Sequence, residues 1–254
     1  MLFRAALPLL SFLSPTLEAA PTAKRATLRN TTFMGSHDSA FFSSKSLALA
    51  RDQEIDVSTQ LAHLNNGVIH FCHTSCGLFN GGAVLAYLQT VKTWLDANPD
   101  EVLTLLFTNP EGLSLSDHTS DALSTTTGIA ALAYVPPQTP MPQSAWPTLG
   151  SLIDAGTRVV VFLDARADGS DGGVVPYILP EFTMVRILNT SSTFGMLLSD
   201  PGATGTTNGA ASVLADARGC VPLSQGNRLP NFVLMDFVNL GQGMEAVDQL
   251  NGFS

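Results

Sequence analysis

Arg158-Val159-Val160-Val161-Phe162-Leu163 is an unbroken apolar, β-branched run that stops at a carboxylate, Asp164. A strand with no polar alternation must be covered on both faces, which is the signature of a parallel sheet packed between helices. Other runs of the same kind are Thr32-Phe33-Met34, Val68 to Cys72, Glu101 to Phe107, a less regular one at 182–188, and Asn231-Phe232-Val233-Leu234-Met235-Asp236. Between them lie helical spacings. Val84, Tyr87, Leu88, Val91, Trp94 and Leu95 mark one face of a helix that Gly81-Gly82 precedes and Asn98-Pro99 stops. Residues 149–155 and 244–250 read as shorter helices, 108–147 as a long polar excursion, and 199–230 as mostly irregular. Strands alternating with helices predict an α/β fold with a parallel sheet covered on both faces, and about six strands are recognisable.

Residues 1–25 are set apart from that fold. Arg4 precedes a short apolar stretch, small residues follow at Ala19 and Ala20, and Pro8 and Pro15 disfavour a buried helix. This reads as a secretory signal peptide with a dibasic pro-segment ending at Lys24-Arg25, leaving 26–254 as one domain in a secreted, extracellular protein. The whole chain carries −9. Residues 1–25 hold Arg4, Lys24 and Arg25 against Glu18, so the remainder carries −11. Such a charge provides no footprint for nucleic acid and disfavours anionic membranes, so membrane contact is at most peripheral. Sequons at Asn30 and Asn189 fit a glycoprotein. With 45% hydrophobic and 13% charged residues the chain is not a disordered one. It shows no oligomerisation signal and is expected to be a monomer.

The strand ends carry the chemistry. In a parallel barrel the working residues sit at the C-terminal ends of strands. Here those ends read His37-Asp38, His73, Asp164 and Asp236. Two histidines facing one another can take a proton from an attacking hydroxyl and give one to a leaving alcohol, which is what phosphodiester cleavage requires. A neighbouring carboxylate, Asp38 or Asp236, would orient the base. His70 reads as structural, His118 as solvated in a polar loop, and His63 as ambiguous. In an exported chain Cys72 and Cys76 are expected to pair, leaving Cys220 over. Cys72, His73 and Cys76 supply too few ligands for zinc. No cofactor or metal is expected.

Thr32 through Phe41, Asn66 through Cys76, the helix ending Trp94-Leu95-Asp96-Ala97-Asn98-Pro99, and residues 101–106, 152–164 and 230–238 together resemble the phosphatidylinositol-specific phospholipase C X-domain superfamily. They are most similar to the fungal secreted PLC-like phosphodiesterases, with apparent internal deletions. The resemblance implies a TIM-type (β/α)8 barrel, here incomplete, and a metal-independent reaction on a phospholipid or glycosylated lipid headgroup. It implies His37 as general base, His73 as general acid, Asp236 as the carboxylate orienting His37, and Asp38 as its acidic neighbour. Asp164 and His63 would line the substrate site, His63 marking a polar position beside a strand that the sequence lacks. Relatives carry that strand between Thr59-Gln60-Leu61 and the Cys72–Cys76 segment, and a second gap follows Phe182-Thr183.

Three alternatives stand beside this reading. One is a catalytically impaired secreted relative that binds a lipid headgroup or cell-wall ligand. Another is a truncated gene model or splice form of the active enzyme. The third is a magnesium-dependent barrel phosphodiesterase, whose Glu/Asp metal cluster Asp38 alone does not supply.

Overall fold

The computed structural model describes residues 31–36, 57–72, 75–78, 80–115, 127–170, 173–184, 187–189, 202–224 and 226–253. The expected signal segment 1–25, Asn30, His37, Asp38, His73 and His118 lie outside these residues. The strands are β1 (Phe33–Ser36), β2 (Val57–Asn65), β3 (Val68–Cys72), β4 (Asn80–Ala83), β5 (Leu103–Thr108), β6 (Val159–Leu163), β7 (Ile178–Pro180), β8 (Ile187–Asn189) and β9 (Phe232–Met235). Seven of them form one parallel path in the order β7-β6-β5-β2-β1-β9-β8. Among the described residues the two end strands, β7 and β8, do not pair with each other, so the sheet is an open path and not a closed barrel.

Alternation along the strands explains how this sheet is held. Leu103, Leu105 and Phe107 of β5, with Val159, Val161 and Leu163 of β6, join one buried cluster. Helix α1 (Val84–Ala97) covers it with Val84, Leu88, Val91 and Leu95. The intervening Leu106, Val160 and Phe162 point the other way, into a second cluster with Phe33, Leu179, Phe232 and Leu234. Helix α2 (Leu149–Asp154) adds Leu152 to that inner cluster. Met34, Val233 and Met235 return to the outer face, under helices α3 (Ala210–Gly219) and α4 (Gly243–Asn251). Strands buried on both faces cannot alternate in polarity, which is why they are unbroken apolar runs.

Four expectations are corrected. The place where a strand was expected to be missing is occupied by β2, which pairs with β1 on one side and β5 on the other. Its Ser, Thr, Gln, His and Asn residues give it no apolar signature. Val68–Cys72 is not a member of the parallel sheet. It folds back antiparallel on β2 through Asn66-Gly67 and then pairs with β4. Asn66 and Gly67 both have positive φ, 51° and 82°, the two-residue hairpin that an Asn-Gly pair favours. Residues 182–188 are not one strand: a helical turn, Glu181–Met184, precedes β8. Residues 199–230 are not mostly irregular, since Thr204–Thr207 and α3 lie there. Among the described residues no helix is long and apolar enough to cross a membrane.

Candidate active site at the rim of the sheet

The inner-face alternation continues past the strand ends and sets which polar residues reach the rim. Val160 and Phe162 are followed two residues on by Asp164, and Phe232 and Leu234 by Asp236. Leu179 is followed by Glu181. Leu163 pairs with Pro180, so Asp164 and Glu181 leave adjacent strands side by side. Glu181 is 9% exposed. Burial, and the nearby Asp164 carboxylate, push its carboxyl up to about 7. Burial also raises Asp164, against the lowering effect of backbone N–H groups at Asn109, Ala165 and Asp164 itself. The Asn109 N–H donates to Asp164 Oδ1 at 2.7 Å.

Asn109 organises the turn after β5. Its side chain donates to the Leu113 carbonyl at 2.9 Å and accepts from the Leu113 N–H at 2.8 Å. The turn brings Glu111 back onto β2. Glu111 Oε1 lies 2.8 Å from His63 Nδ1, and Oε2 accepts from the Leu64 N–H at 3.1 Å. The Leu64 N–H chiefly holds the Glu111 carboxyl below its ordinary value; burial opposes it next, and His63 adds a further lowering. The His63 side chain is 9% exposed, and its Nε2 is buried with no hydrogen-bond partner among the described residues.

His63 and Asp164 therefore belong to one connected rim, through Glu111 and the Asn109 turn. Asp236 is four strand steps from Asp164 along the path. Its carbonyl accepts from the buried Asn208 side chain at 2.8 Å, which also reaches the Leu240 carbonyl at 3.2 Å and so pins the turn after β9. Cys72 and Cys76 are bonded, with S–S 2.01 Å, and Cys220 is a half-buried free thiol. His70 is half-buried, its Nδ1 lying 3.0 Å from Asn80 Oδ1. Among the described residues no three His, Cys, Asp or Glu side chains gather as a metal-ligand group.

Sequence reasoning missed Glu181, Glu111, Asn109 and Asn208. Glu181 follows a strand of only three residues, too short to show a pattern. Glu111 and Asn109 lie in a turn whose closure depends on β2, itself unrecognised. Asn208 sits in the stretch read as irregular.

An α/β protein with a parallel sheet, helices outside, and carboxylates and an imidazole at the strands' C-terminal rim is the class that fold and site define. The family model described as PI-PLC X 1 matches residues 25–193 and 183–251. The chain belongs to the PI-PLC X domain family. PI-PLC X domain-containing protein 1 of Arthroderma benhamiae is 34% identical over 266 residues, covering 87% of this chain and 84% of that protein. A protein of the same organism named only as an uncharacterized secreted protein is 30% identical over 272 residues, covering 87% of this chain and 60% of its own length. In fold the chain is similar to the phosphatidylinositol-specific phospholipase C from Listeria monocytogenes. The TM-score is 0.55 at 13% identity, over 90% of this chain and 95% of that one.

Proposed function

We propose that the chain is a secreted phosphodiesterase that cleaves a phosphoinositide-type phosphodiester by two-histidine general acid–base catalysis. The observation that carries this reading is a register. Ser36, which precedes His37, pairs with Ser58 of β2, and Phe71, two residues before His73, pairs with Ala62 of the same strand. These two points on β2 are four residues apart, roughly 13 Å at the rise of a strand. Met235 pairs with Ser36, the residue that precedes His37 in the sequence, and Asp236 follows Met235. That register, in which the described residues leading to His37 and to His73 both pair with β2, supports a reading in which the two histidines share the acid–base work and Asp236 orients the first.

The residues then divide the reaction. His37 takes the proton of the headgroup hydroxyl as its oxygen attacks phosphorus, and His73 gives a proton to the departing diacylglycerol oxygen. The new P–O bond closes a cyclic phosphate as the old one breaks. Asp236 favours the charged form of His37, with Asp38 beside it. Asp164 and His63 would contact the headgroup. The impaired-relative alternative drew on a missing strand, and β2 fills that place between β1 and β5.

Phosphorus-31 NMR on phosphatidylinositol micelles tests the proposal. Purified protein should form a cyclic inositol phosphate with and without EDTA. His37→Ala and His73→Ala should each lower the rate by at least about 100-fold, in line with the worth of one proton-transfer group. Unchanged turnover in either variant would sink the assignment.

A further inference from the structure

Packing alone does not account for the pairing of Glu111 with His63. Both oxygens of the carboxylate are engaged on one short stretch of β2, Oε1 at His63 Nδ1 and Oε2 at the Leu64 N–H. An ionised carboxylate has no proton to donate, so the proton it shares belongs to Nδ1. That fixes the tautomer of the neutral ring: Nδ1 is the donor and Nε2 carries the lone pair. Nε2 is the atom left buried and without a partner among the described residues. A buried polar atom with no bond calls for an explanation, and a ring held by a carboxylate through its other nitrogen is the arrangement that aims a histidine at a ligand. His70, the ring paired across the hairpin, has its own Nδ1 beside Asn80 Oδ1 and does not compete for Nε2 by that atom. The next carboxylate, Asp164, meets this turn through the Asn109 N–H.

We propose that Glu111 is a positioning residue that holds His63 as a hydrogen-bond acceptor for a hydroxyl of a polyhydroxylated headgroup. The proposal rests on the phosphodiesterase reading and deepens it by naming the chemistry that the site selects. His63 directly follows Ala62, the β2 residue opposite Phe71, and so lies beside the segment that leads to His73. An acceptor nitrogen at that point takes a bond from a polyol hydroxyl. It has nothing to accept from a quaternary ammonium, which carries no donor. A site built around such a bond discriminates against ligands that lack the hydroxyl.

Nitrogen-15 NMR of histidine-labelled protein tests this without relying on turnover. His63 should be in the Nδ1–H tautomer, and its Nε2 resonance should move on titration with free myo-inositol. Glu111→Gln should give a mixture of tautomers and abolish that shift. On phosphatidylinositol the same variant should raise KM about tenfold with kcat within threefold. An Nε2–H tautomer in the unaltered protein, or no shift with myo-inositol, overturns the proposal, as does an unchanged KM in a variant that melts normally. Should Glu111→Gln fail to fold, the titration of the unaltered protein decides by itself. A myo-inositol shift in a protein that turns over no phosphodiester would retire the phosphodiesterase reading and leave polyol recognition standing. Binding of phosphatidylinositol vesicles but not free myo-inositol would locate recognition elsewhere on the lipid and count against His63.

Discussion

Glu181 is a carboxyl held where its charge is disfavoured, against the Asp164 carboxylate and away from water. Its folded value is about 7 against an ordinary value of 4.5. Between those two pH values the folded state keeps a proton that the unfolded state has released. Stability from this group therefore falls as pH rises through the window, and the penalty is complete above it. Glu181→Gln cannot ionise and removes that slope. Urea titrations at pH 5 and pH 8 should show the unaltered protein losing about 2 kcal/mol more than the variant across the interval. Equal losses would show that the carboxyl titrates normally. Asp164 and Asp236 were legible because each ends a long apolar run, where a change from apolar to acidic is conspicuous. Glu181 follows a three-residue strand, and Glu111 reaches the rim by a turn. Contacts made by folding back leave no period in the sequence.

Arg158 shows how one element finishes another. Helix α1 has no basic residue in its last turn. Arg158, buried at the start of β6, donates to the Leu95 carbonyl at 3.0 Å and to the Asn98 and Glu101 carbonyls at 2.9 and 3.0 Å. It adds charged donors to carbonyls around the helix end and puts a cation at the negative end of the helix dipole. Arg158→Met keeps the bulk and removes all three bonds. It should cost about 3 kcal/mol by denaturant titration, because one buried and two part-buried carbonyls lose charged donors. Faster amide exchange confined to the last turn of α1 and the turn into β5 should accompany the loss. Helix α1 itself was legible from spacing, since Val84, Leu88, Val91 and Leu95 are its buried residues. Helix α3 was not, because only Val213, Leu214 and Ala217 of its ten residues are buried, and Ala-Ser-Gly composition reads as loop. β4 was missed for a related reason: Asn80-Gly81-Gly82-Ala83 looks like a break and is paired only because β3 lies beside it.

Across the whole molecule, unbroken apolar runs correctly announced a parallel sheet between helices, and the ordered segments announced the family. Strand order and closure were not legible, because pairing is decided between residues far apart in the chain. Thr32 and Asn251 illustrate this at a separation of 219 positions. The Thr32 N–H donates to Asn251 Oδ1 at 2.9 Å, and Asn251 Nδ2 donates to the Thr32 carbonyl at 2.8 Å. This two-bond clamp ties α4 to the entry of β1. Asn251→Ala should lower stability by about 1–2 kcal/mol and raise amide exchange in β1 and α4 together. A response in α4 alone would show that the clamp does not couple them.

β1 lies between β2 and β9 in the sheet, although it is the earliest strand among the described residues. Met235, its partner, is made about 200 residues after Ser36. At ribosomal speeds of roughly 5–20 residues per second, β1 waits on the order of ten to forty seconds for that neighbour. The pairing of β1 with β9 thus forms only after everything between them has been made. A sheet built this way cannot be completed before Phe232–Met235 has emerged. It depends on whatever shields an apolar strand during that wait.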